Sequence, residues 1–280
     1  MKKYRTGFQG ELGAFSEMAV LEYFGGAAEP VPHGWFDDVF RAVEQGRCDY
    51  GMLPIENTLA GSIHVNYDLM QEHDLQIVGE IVLRIVHNLM AKPGVRREEL
   101  RTVKSHPKAL EQCVRFFREH PSLKPETVYD TGGAAKMLCE GEAGDVGVIA
   151  STRAAERYGL EILERGVEDN TQNYTRFLVL ARDAEPSEGE RLKTSIVFSV
   201  PHEPGMLFKA MSVFALRDIS INKIESRPLV GSPWEYLFYL DFEGHAESLL
   251  CSRALNHLRE IATNFKLLGS YAEGRIVDRG

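Results

Sequence analysis

Up to Arg182 the chain alternates between short apolar runs and stretches in which apolar residues recur with the spacing of a helix face. The apolar runs predict strands over Tyr4–Phe8, Tyr50–Pro54, Gln76–Leu83, Thr102–Ser105, Thr127–Tyr129, Val146–Ala150 and Arg176–Ala181. The helical stretches predict helices over Ala14–Phe24, Trp35–Gln45, Pro107–His120, Gly133–Glu140 and Thr152–Tyr158. Such alternation is typical of an α/β fold with largely parallel sheets, which bind ligands beyond the ends of their strands.

A different order of elements follows in the last part of the chain. Strands are predicted over Lys193–Val200, Ile219–Leu229, Trp234–Phe242 and Phe265–Tyr271. Helices are predicted where apolar residues line one face, over Leu207–Phe214 and Cys251–Ala262. The resulting order is βαββαβ, which predicts a small ferredoxin-like domain.

Residues 183–192 separate these two patterns. The sequence around them, RDAEPSEGER, is rich in charge, contains proline, and has no apolar residue larger than alanine, which is typical of an exposed linker. We therefore expect a first domain at residues 1–182, a linker at 183–192 and a second domain at 193–280. The first domain is long enough to form two lobes with a cleft between them.

Composition and charge exclude several classes of protein. Apolar residues make up 44% and charged residues 26% of the 280 positions, which are ordinary values for a globular protein. The net charge of −9 argues against a nucleic-acid partner, because such a protein needs a basic surface. The N-terminal residues lack the apolar core of a signal peptide, and no segment is apolar enough to span a bilayer, so no membrane association is expected.

The cysteines and histidines give no sign of a metal site. Cys48, Cys113, Cys139 and Cys251 include no Cys-x-x-Cys pair, which disfavours a zinc site or a disulfide framework. The histidines include no H-x-x-x-H pair. Widely spaced single cysteines are typical of a protein of the reducing cytoplasm, and Cys113 and Cys251 are expected to be buried.

The segment Ser105–Cys113, SHPKALEQC, follows a predicted strand. Ser105 is a good N-cap residue and Pro107 suits the first turn of a helix. Ser105 and Gln112 would then lie about 20° apart around the helix axis. An apolar stripe on the opposite side would consist of Leu110, Cys113, Val114 and Phe117. Two polar side chains near a helix N-terminus could meet an anion, but the spacing alone favours a capped helix with a solvated face.

The segment Pro54–Ser62, PIENTLAGS, ends an apolar strand with a Glu-Asn pair and a glycine. The amide of Asn57 could hold a carboxylate or a hydroxyl group, and Glu56 could orient a neighbour or act as a base. A turn stabilised by asparagine and glycine is the alternative, and the pattern alone favours the turn.

The segment Asn173–Phe177, NYTRF, stands at the start of a predicted strand. Thr175 supplies a hydroxyl group, and Arg176 supplies a guanidinium that matches a carboxylate with two hydrogen bonds. A β-branched strand residue beside a surface arginine is the commoner explanation of this pattern.

Together these segments resemble the prephenate dehydratase family. The matching segments, in the family's order, are GAFSE (Gly13–Glu17), PIENTLAGS (Pro54–Ser62), SHPKALEQC (Ser105–Cys113), YGL (Tyr158–Leu160) and NYTRF (Asn173–Phe177). The last part of the chain resembles the ACT regulatory domain, and its IESRP segment (Ile224–Pro228) matches the phenylalanine-binding motif of that domain. Lys108, Thr58 and Met206 depart from the usual Gln, Ser and Ala of the family.

The resemblance implies a two-lobed catalytic domain like the type II periplasmic binding proteins, with its site in the cleft, followed by a βαββαβ ACT domain. The residues that it assigns to catalysis are Thr175, Asn57, Ser105 and Gln112. Those that it assigns to substrate binding are Arg176, Glu56 and Phe177, with Arg176 on a carboxylate.

The reaction that the resemblance implies is the loss of carbon dioxide and water from prephenate to give phenylpyruvate. No electrons pass to a cofactor, so none is expected. L-Phenylalanine is the implied effector, bound by Gly205, Met206, Leu207, Asn222, Glu225, Ser226 and Arg227. Because ACT domains pair, a homodimer or homotetramer is expected.

Two other functions stay open at this point. An arogenate dehydratase performs the same chemistry on the amino-acid analogue of prephenate, and the sequence does not separate the two substrates. A two-lobed binding fold joined to an ACT domain could also serve as a non-catalytic sensor of a small molecule, because fold alone does not fix function.

Overall fold

The computed structural model describes residues 2–141, 144–183, 189–229 and 235–278. Within these ranges the chain forms two compact units. The first unit is built from residues 2–66, 81–178 and 275–278, and the second from residues 67–80 and 179–274.

The secondary structure up to residue 84 alternates strands with helices. The elements are β1 (Tyr4–Gln9), α1 (Phe15–Phe24), β2 (Ala28–His33), α2 (Phe36–Glu44), β3 (Tyr50–Asn57), β4 (Gly61–Ser62), α3 (His64–Glu72) and β5 (Gln76–Arg84). The chain continues with β6 (Asn88–Ala91), β7 (Thr102–Ser105), α4 (Pro107–Glu111), α5 (Val114–Glu119), β8 (Lys124–Thr127), α6 (Thr131–Glu140), β9 (Val146–Ala150), α7 (Thr152–Tyr158), β10 (Glu161–Glu164) and β11 (Tyr174–Ala181).

The remaining elements have the order that the sequence predicts for a small domain. They are β12 (Leu192–Ser199), α8 (Met206–Ala215), β13 (Ile221–Pro228), β14 (Tyr236–Glu243), α9 (Leu249–Ile261) and β15 (Asn264–Ala272), followed by the short β16 (Ile276–Val277).

The first lobe of the first unit is built on a seven-stranded sheet. Its strand order is β16-β5-β11-β3-β1-β2, with β4 paired to β3. β1 runs parallel to β2 and to β3. β2 was not predicted from the sequence, because Pro30 and Pro32 interrupt its apolar pattern. Both prolines are tolerated because β2 lies at the edge of the sheet, where a missing N–H group breaks few hydrogen bonds.

The second lobe is built on a five-stranded sheet with the order β10-β6-β9-β7-β8. β9 is buried along its whole length, as expected for an apolar strand in the middle of a sheet. The chain crosses between the lobes at residues 85–87 and 165–173. Ile85 donates its N–H to the carbonyl of Asn173 at 2.8 Å, and Val167 donates to the carbonyl of His87 at 2.9 Å. The two crossings are therefore hydrogen-bonded to each other.

The second unit contains a four-stranded antiparallel sheet in the order β13-β14-β12-β15. A shared apolar core joins the sheet to α8 and α9, with Phe198, Phe214, Phe242 and Leu255 almost fully buried. The predicted α/β class and the predicted βαββαβ order are thus confirmed. The prediction that a strand begins at Trp234 falls partly outside the described residues, and so does half of the predicted linker, residues 184–188.

The helix predicted over Pro107–His120 is wrong, because two helices, α4 and α5, stand there. Asp169, on the second crossing, accepts the backbone N–H groups of Val114 at 3.0 Å and Arg115 at 2.8 Å. Asp169 also donates its own N–H to the carbonyl of Gln112 at 2.7 Å. A distant carboxylate thus caps α5, and the restarted helix leaves Val114 exposed instead of in an apolar stripe.

Two further local predictions are wrong. Ser105 is not the N-cap of α4, because His106 takes that place and its side chain accepts the N–H of Lys108. The strand placed at Thr127–Tyr129 lies at Lys124–Thr127 instead, where it pairs with β7. The strands β4, β6, β10 and β16 were not predicted, because each has at most four residues. The helix α3 was not predicted, because His64, Asn66 and Asp68 interrupt its apolar pattern. Cys113 and Cys251 are buried as predicted. No helix among the described residues is long and apolar enough to cross a membrane.

Candidate active site

A cavity of about 740 Å³ lies between the two lobes of the first unit. The first lobe contributes Gln9, Phe15, Trp35, Asn57, Ile63, Thr175 and Phe177 to its lining, among others. The second lobe contributes His106, Lys108, Ala109, Gln112, Asp130 and Thr131, and His87 lines the cavity from the first crossing. The volume suits a ligand of a dozen or more heavy atoms.

Thr175 and Phe177 reach the cavity because they alternate along β11. Side chains of successive strand residues lie on opposite faces of a sheet. Thr175, with 8% of its surface exposed, and Phe177, with 1%, line the cavity, whereas Arg176 between them does not. Of the three predicted site residues in the NYTRF segment, Thr175 and Phe177 therefore lie together in the cavity lining and Arg176 does not.

Asn57 at the end of β3 is held in one orientation. Its Oδ1 atom accepts the backbone N–H groups of Leu59 at 3.0 Å and Ala60 at 2.8 Å, so its NH₂ group must lie on the other side. Nδ2 then donates to Oγ1 of Thr175 at 3.0 Å. Since this hydrogen bond uses Thr175 as an acceptor, the hydroxyl proton of Thr175 is available for a ligand in the cavity.

Thr58 secures the turn that carries Asn57. Its Oγ1 atom donates to the carbonyl of Gln172 at 2.8 Å and accepts the N–H of Tyr174 at 2.9 Å. Its own N–H donates to the carbonyl of Tyr174 at 2.9 Å. A threonine therefore joins the turn after β3 to the start of β11, and a serine hydroxyl could form the same bonds.

Gln112 enters the cavity at the break between α4 and α5. Its Oε1 atom accepts Nδ2–H of Asn173 at 2.9 Å, and Oδ1 of Asn173 accepts Nδ2–H of Asn57 at 2.8 Å. Oε1 of Gln112 also lies 2.9 Å from Nε2 of His87. Among the described residues, the NH₂ group of Gln112 has no partner, so it can donate to a ligand.

Two members of this network, Asn173 and His87, were not identified from the sequence. Asn173 belongs to the NYTRF segment, but spacing offered no reason to prefer it. The only signal for His87 was that it interrupts an apolar run, and interruptions of that kind are common. His87 is 3% exposed, and burial lowers its pKa, while the hydrogen bond with Gln112 and the charge of Glu168 oppose that shift.

Three predicted site residues do not line the cavity. Ser105 is fully buried and donates its Oγ–H to the carbonyl of Ile149 at 2.6 Å, which joins β7 to β9. Glu56 pairs with Ser62 across the β3-β4 turn. Roles in the chemistry for Ser105, Glu56 and Arg176 stay predictions.

The cavity offers an anion more than one source of positive potential. The N-terminus of α1 lines it at Ala14, Phe15 and Ser16, and no side chain caps this helix. Its free N–H groups favour a negative ligand. Lys108 carries the one full positive charge among the lining residues that the structure describes, and its Nζ lies 2.8 Å from Glu111 at the solvent-exposed mouth.

Fold and site together define a two-lobed α/β protein with a cavity between its lobes, followed along the chain by a ferredoxin-like domain. The chain belongs to the prephenate dehydratase family, since the family model described as "Prephenate dehydratase" matches residues 6–185.

Individual relatives extend the similarity over nearly the whole chain. "Arogenate dehydratase/prephenate dehydratase 2, chloroplastic" of Arabidopsis thaliana is 46% identical over 279 residues, covering 96% of this chain and 73% of the relative. The solved prephenate dehydratase of Arthrobacter aurescens in complex with L-Phe has a TM-score of 0.88 at 30% identity and covers 96% and 90% of the two chains. GqqA, described as a novel type of quorum quenching acylase, has a TM-score of 0.87 at 36% identity, with 95% and 97% covered.

Burial of His87 predicts a specific dependence of stability on pH. Because the folded protein holds this imidazole at a pKa below the ordinary 6.5, the unfolded chain binds the proton more readily. The stability contributed by neutral His87 is fully present above about pH 6.5 and is lost as the pH falls through that value towards the lowered pKa. His87→Gln should therefore lose less unfolding free energy than the wild type between about pH 7.5 and about pH 5, measured by urea denaturation. Equal losses in the two proteins would contradict the prediction, and other titrating groups cancel in the comparison.

Proposed function

We propose that this protein is a prephenate dehydratase that converts prephenate into phenylpyruvate on the route to L-phenylalanine. One observation carries the proposal: Asn57 donates to Oγ1 of Thr175, so the hydroxyl proton of Thr175 is left for a ligand in a cavity that further neutral donors line. A hydroxyl group held in this way is placed to hydrogen-bond a departing oxygen atom. A non-catalytic sensor would not need that arrangement.

The reaction makes one demand on the protein. The bond between the ring and one carboxylate breaks and releases carbon dioxide, and its electron pair moves through the ring to break the carbon–oxygen bond. Aromatisation of the ring drives the reaction. The oxygen leaves poorly as hydroxide and well as water, so a donor must meet it as its charge develops.

Thr175 supplies that donor as a hydrogen bond rather than as a strong acid. A threonine hydroxyl is a weak acid near neutral pH, far from the matched pKa of an efficient general acid. A preorganised donor in a site without bulk water still contributes about 3 kcal/mol to transition-state stabilisation. The proton that the departing oxygen takes up arrives through a water molecule or a relay. The remaining acceleration comes from fixing the ring in position and removing water from the departing carboxylate.

The carboxylate that stays with the product needs an anchor. Lys108 and the N-terminus of α1 line the cavity and supply positive potential. Arg176, which the sequence predicts as the anchor, lies on the neighbouring strand position outside the lining. A cation on the departing carboxylate would oppose catalysis, because only interactions that strengthen in the transition state help. We therefore place the positive groups at the end of the substrate that keeps its charge.

Regulation by L-phenylalanine is part of the proposal. The second unit has the βαββαβ order of an ACT domain, and a similar protein was solved in complex with L-Phe. A cavity of about 90 Å³ lies at the start of α8 and is lined by Met206, Leu207 and Tyr236, among others. Gly205 precedes it with a φ of 79°, which glycine adopts easily.

The other predicted effector residues lie on the edge strand β13. They are Asn222, Glu225, Ser226 and Arg227. Arg227 makes two hydrogen bonds to Asp68, at 3.1 and 2.7 Å. Met206 lines the small cavity, so its bulk affects which effector fits. We also propose that ACT-domain pairing gives a homodimer or homotetramer, and that the protein is cytoplasmic and needs no cofactor.

The direct test is turnover by the purified chain with prephenate and with arogenate at equal concentrations. Phenylpyruvate should form from prephenate faster than phenylalanine forms from arogenate, and added L-phenylalanine should lower the rate. Faster conversion of arogenate would make the protein an arogenate dehydratase. Binding without turnover would support a sensor, and hydrolysis of an N-acyl amide without dehydratase activity would support the function named for GqqA.

The role of Thr175 predicts different activities for two variants, one that removes the hydroxyl group and one that keeps it. Thr175→Val keeps the shape and removes the hydroxyl, so kcat should fall by about 10²- to 10³-fold with little change in KM. Thr175→Ser keeps the donor and should retain most of the activity. Steady-state assays of phenylpyruvate formation measure both. If Thr175→Val turns over at a rate near that of the wild type, Thr175 is not the donor.

The anchor is tested by two matched variants. Lys108→Met removes a charge from the cavity lining and should raise KM about tenfold with kcat nearly unchanged, since a charge-assisted hydrogen bond contributes about 1.5 kcal/mol. Arg176→Met removes a charge outside the lining and should change KM less. The reverse order in the same assay would identify Arg176 as the anchor.

A further inference from the structure

His87 occupies the cavity wall, yet the chemistry proposed above does not use it. Its ring packs edge-on against Phe15, with centroids 5.6 Å apart. Nε2 lies 2.9 Å from Oε1 of Gln112, whereas Nδ1 is buried and has no partner among the described residues. A histidine kept there only for packing would not need to aim one ring nitrogen at a site amide.

The backbone of His87 is fixed from the opposite crossing. Its N–H donates to Oε2 of Glu168 at 2.9 Å, and its carbonyl accepts the N–H of Val167 at 2.9 Å. Glu168 is itself 1% exposed. The imidazole therefore stands on a segment that is held from both sides, at the point where the chain passes between the lobes.

The side-chain network admits only one arrangement of donors and acceptors. Asn57 is oriented by the N–H groups of the turn that follows it, and its NH₂ group requires Oδ1 of Asn173 to face it. Asn173 must then present Nδ2 to Gln112, which must present Oε1. Oε1 can only accept, so His87 must carry a proton on Nε2. The tautomer of His87 is thus determined by a chain of hydrogen bonds that reaches Thr175.

We propose that His87 is a positioning residue: its Nε2–H group locks the amide of Gln112 in the orientation that keeps Asn173, Asn57 and Thr175 aligned for the departing oxygen. Without this donor, Oε1 of Gln112 would be held by Asn173 alone. The amide could then rotate and present its NH₂ group to Asn173, a clash between two donors that would disturb Asn57. The free NH₂ group of Gln112 would no longer face the substrate.

A positioning role and a packing role for His87 differ in which substitution preserves activity. His87→Phe keeps a flat ring against Phe15 but removes the donor. His87→Gln loses the ring but offers an amide N–H in a place similar to that of Nε2. A positioning role predicts that the glutamine variant works better, whereas a packing role predicts that the phenylalanine variant does.

Steady-state kinetics with prephenate provide the first test, and their meaning rests on the proposed function. His87→Phe should lower kcat about 10- to 100-fold, the size typical of residues that orient a functional side chain, with KM changed less than kcat. His87→Gln should recover most of kcat. His33→Gln is a control, because the His33 ring lies 3.8 Å from Sγ of Cys48 and outside the cavity lining. Equal losses for the two His87 variants would overturn the proposal.

A double variant tests whether His87 acts through Gln112 or affects the site independently of it. Gln112→Met removes the group that His87 holds, so adding His87→Phe should lower kcat no further. Multiplied losses in the double variant would show that His87 does not act through Gln112. Melting temperatures of all variants establish that the compared proteins are folded.

A measurement that does not depend on turnover tests the role of His87 separately from the proposed function. In ¹⁵N-histidine-labelled protein, two-bond ¹⁵N–¹H correlations should show His87 as the neutral Nε2–H tautomer, assigned by its loss in His87→Gln. In Gln112→Met that preference should weaken. A neutral Nδ1–H form in the wild type overturns the role of His87. Failure of the wild type to convert prephenate, with the Nε2–H form present, rejects the proposed function alone.

Discussion

The hydrogen bond from Asn57 to Thr175 is the contact on which the chemistry of the cavity depends. A free hydroxyl group can donate or accept, and its direction is not fixed. Once Nδ2 of Asn57 donates to Oγ1 at 3.0 Å, one lone pair of the threonine is used and its hydroxyl proton stays available to a ligand in the cavity. Asn57 is itself committed by two backbone N–H groups of its own turn. Local turn geometry thus sets which hydrogen bond the hydroxyl group of Thr175 accepts.

That contact joins residues that are far apart in sequence, and the two crossings between the lobes explain how. The second crossing delivers Asn173 and Thr175 beside β3, and it carries Asp169, which ends the interruption between α4 and α5. Gln112 stands at that interruption and can leave the helical path to enter the cavity. The broken helix is therefore a condition of the site and not an irregularity of the fold.

Parts of this arrangement could be predicted from the sequence, and the reason differs from residue to residue. The strand β9 follows directly from a short apolar run, because a strand in the middle of a buried sheet needs nothing else. Asn57, Gln112 and Thr175 were found through their resemblance to family motifs. The spacing argument that put Gln112 beside Ser105 on one helix face was wrong, because it assumed an unbroken helix that begins at Ser105. Asn173 and His87 act through partners more than 20 residues away in sequence, and no local pattern encodes such contacts.

The neutral character of the network fits the charge of the substrate that we propose. A dianion that loses one carboxylate as carbon dioxide must not have that carboxylate stabilised in the ground state. Amide and hydroxyl donors can follow the oxygen as its charge develops without attracting the departing group strongly beforehand. A neutral histidine serves the same end, because an imidazolium at His87 would place a full charge beside Gln112. Burial keeps the pKa of His87 below its ordinary value and so favours the neutral imidazole beside Gln112 at neutral pH.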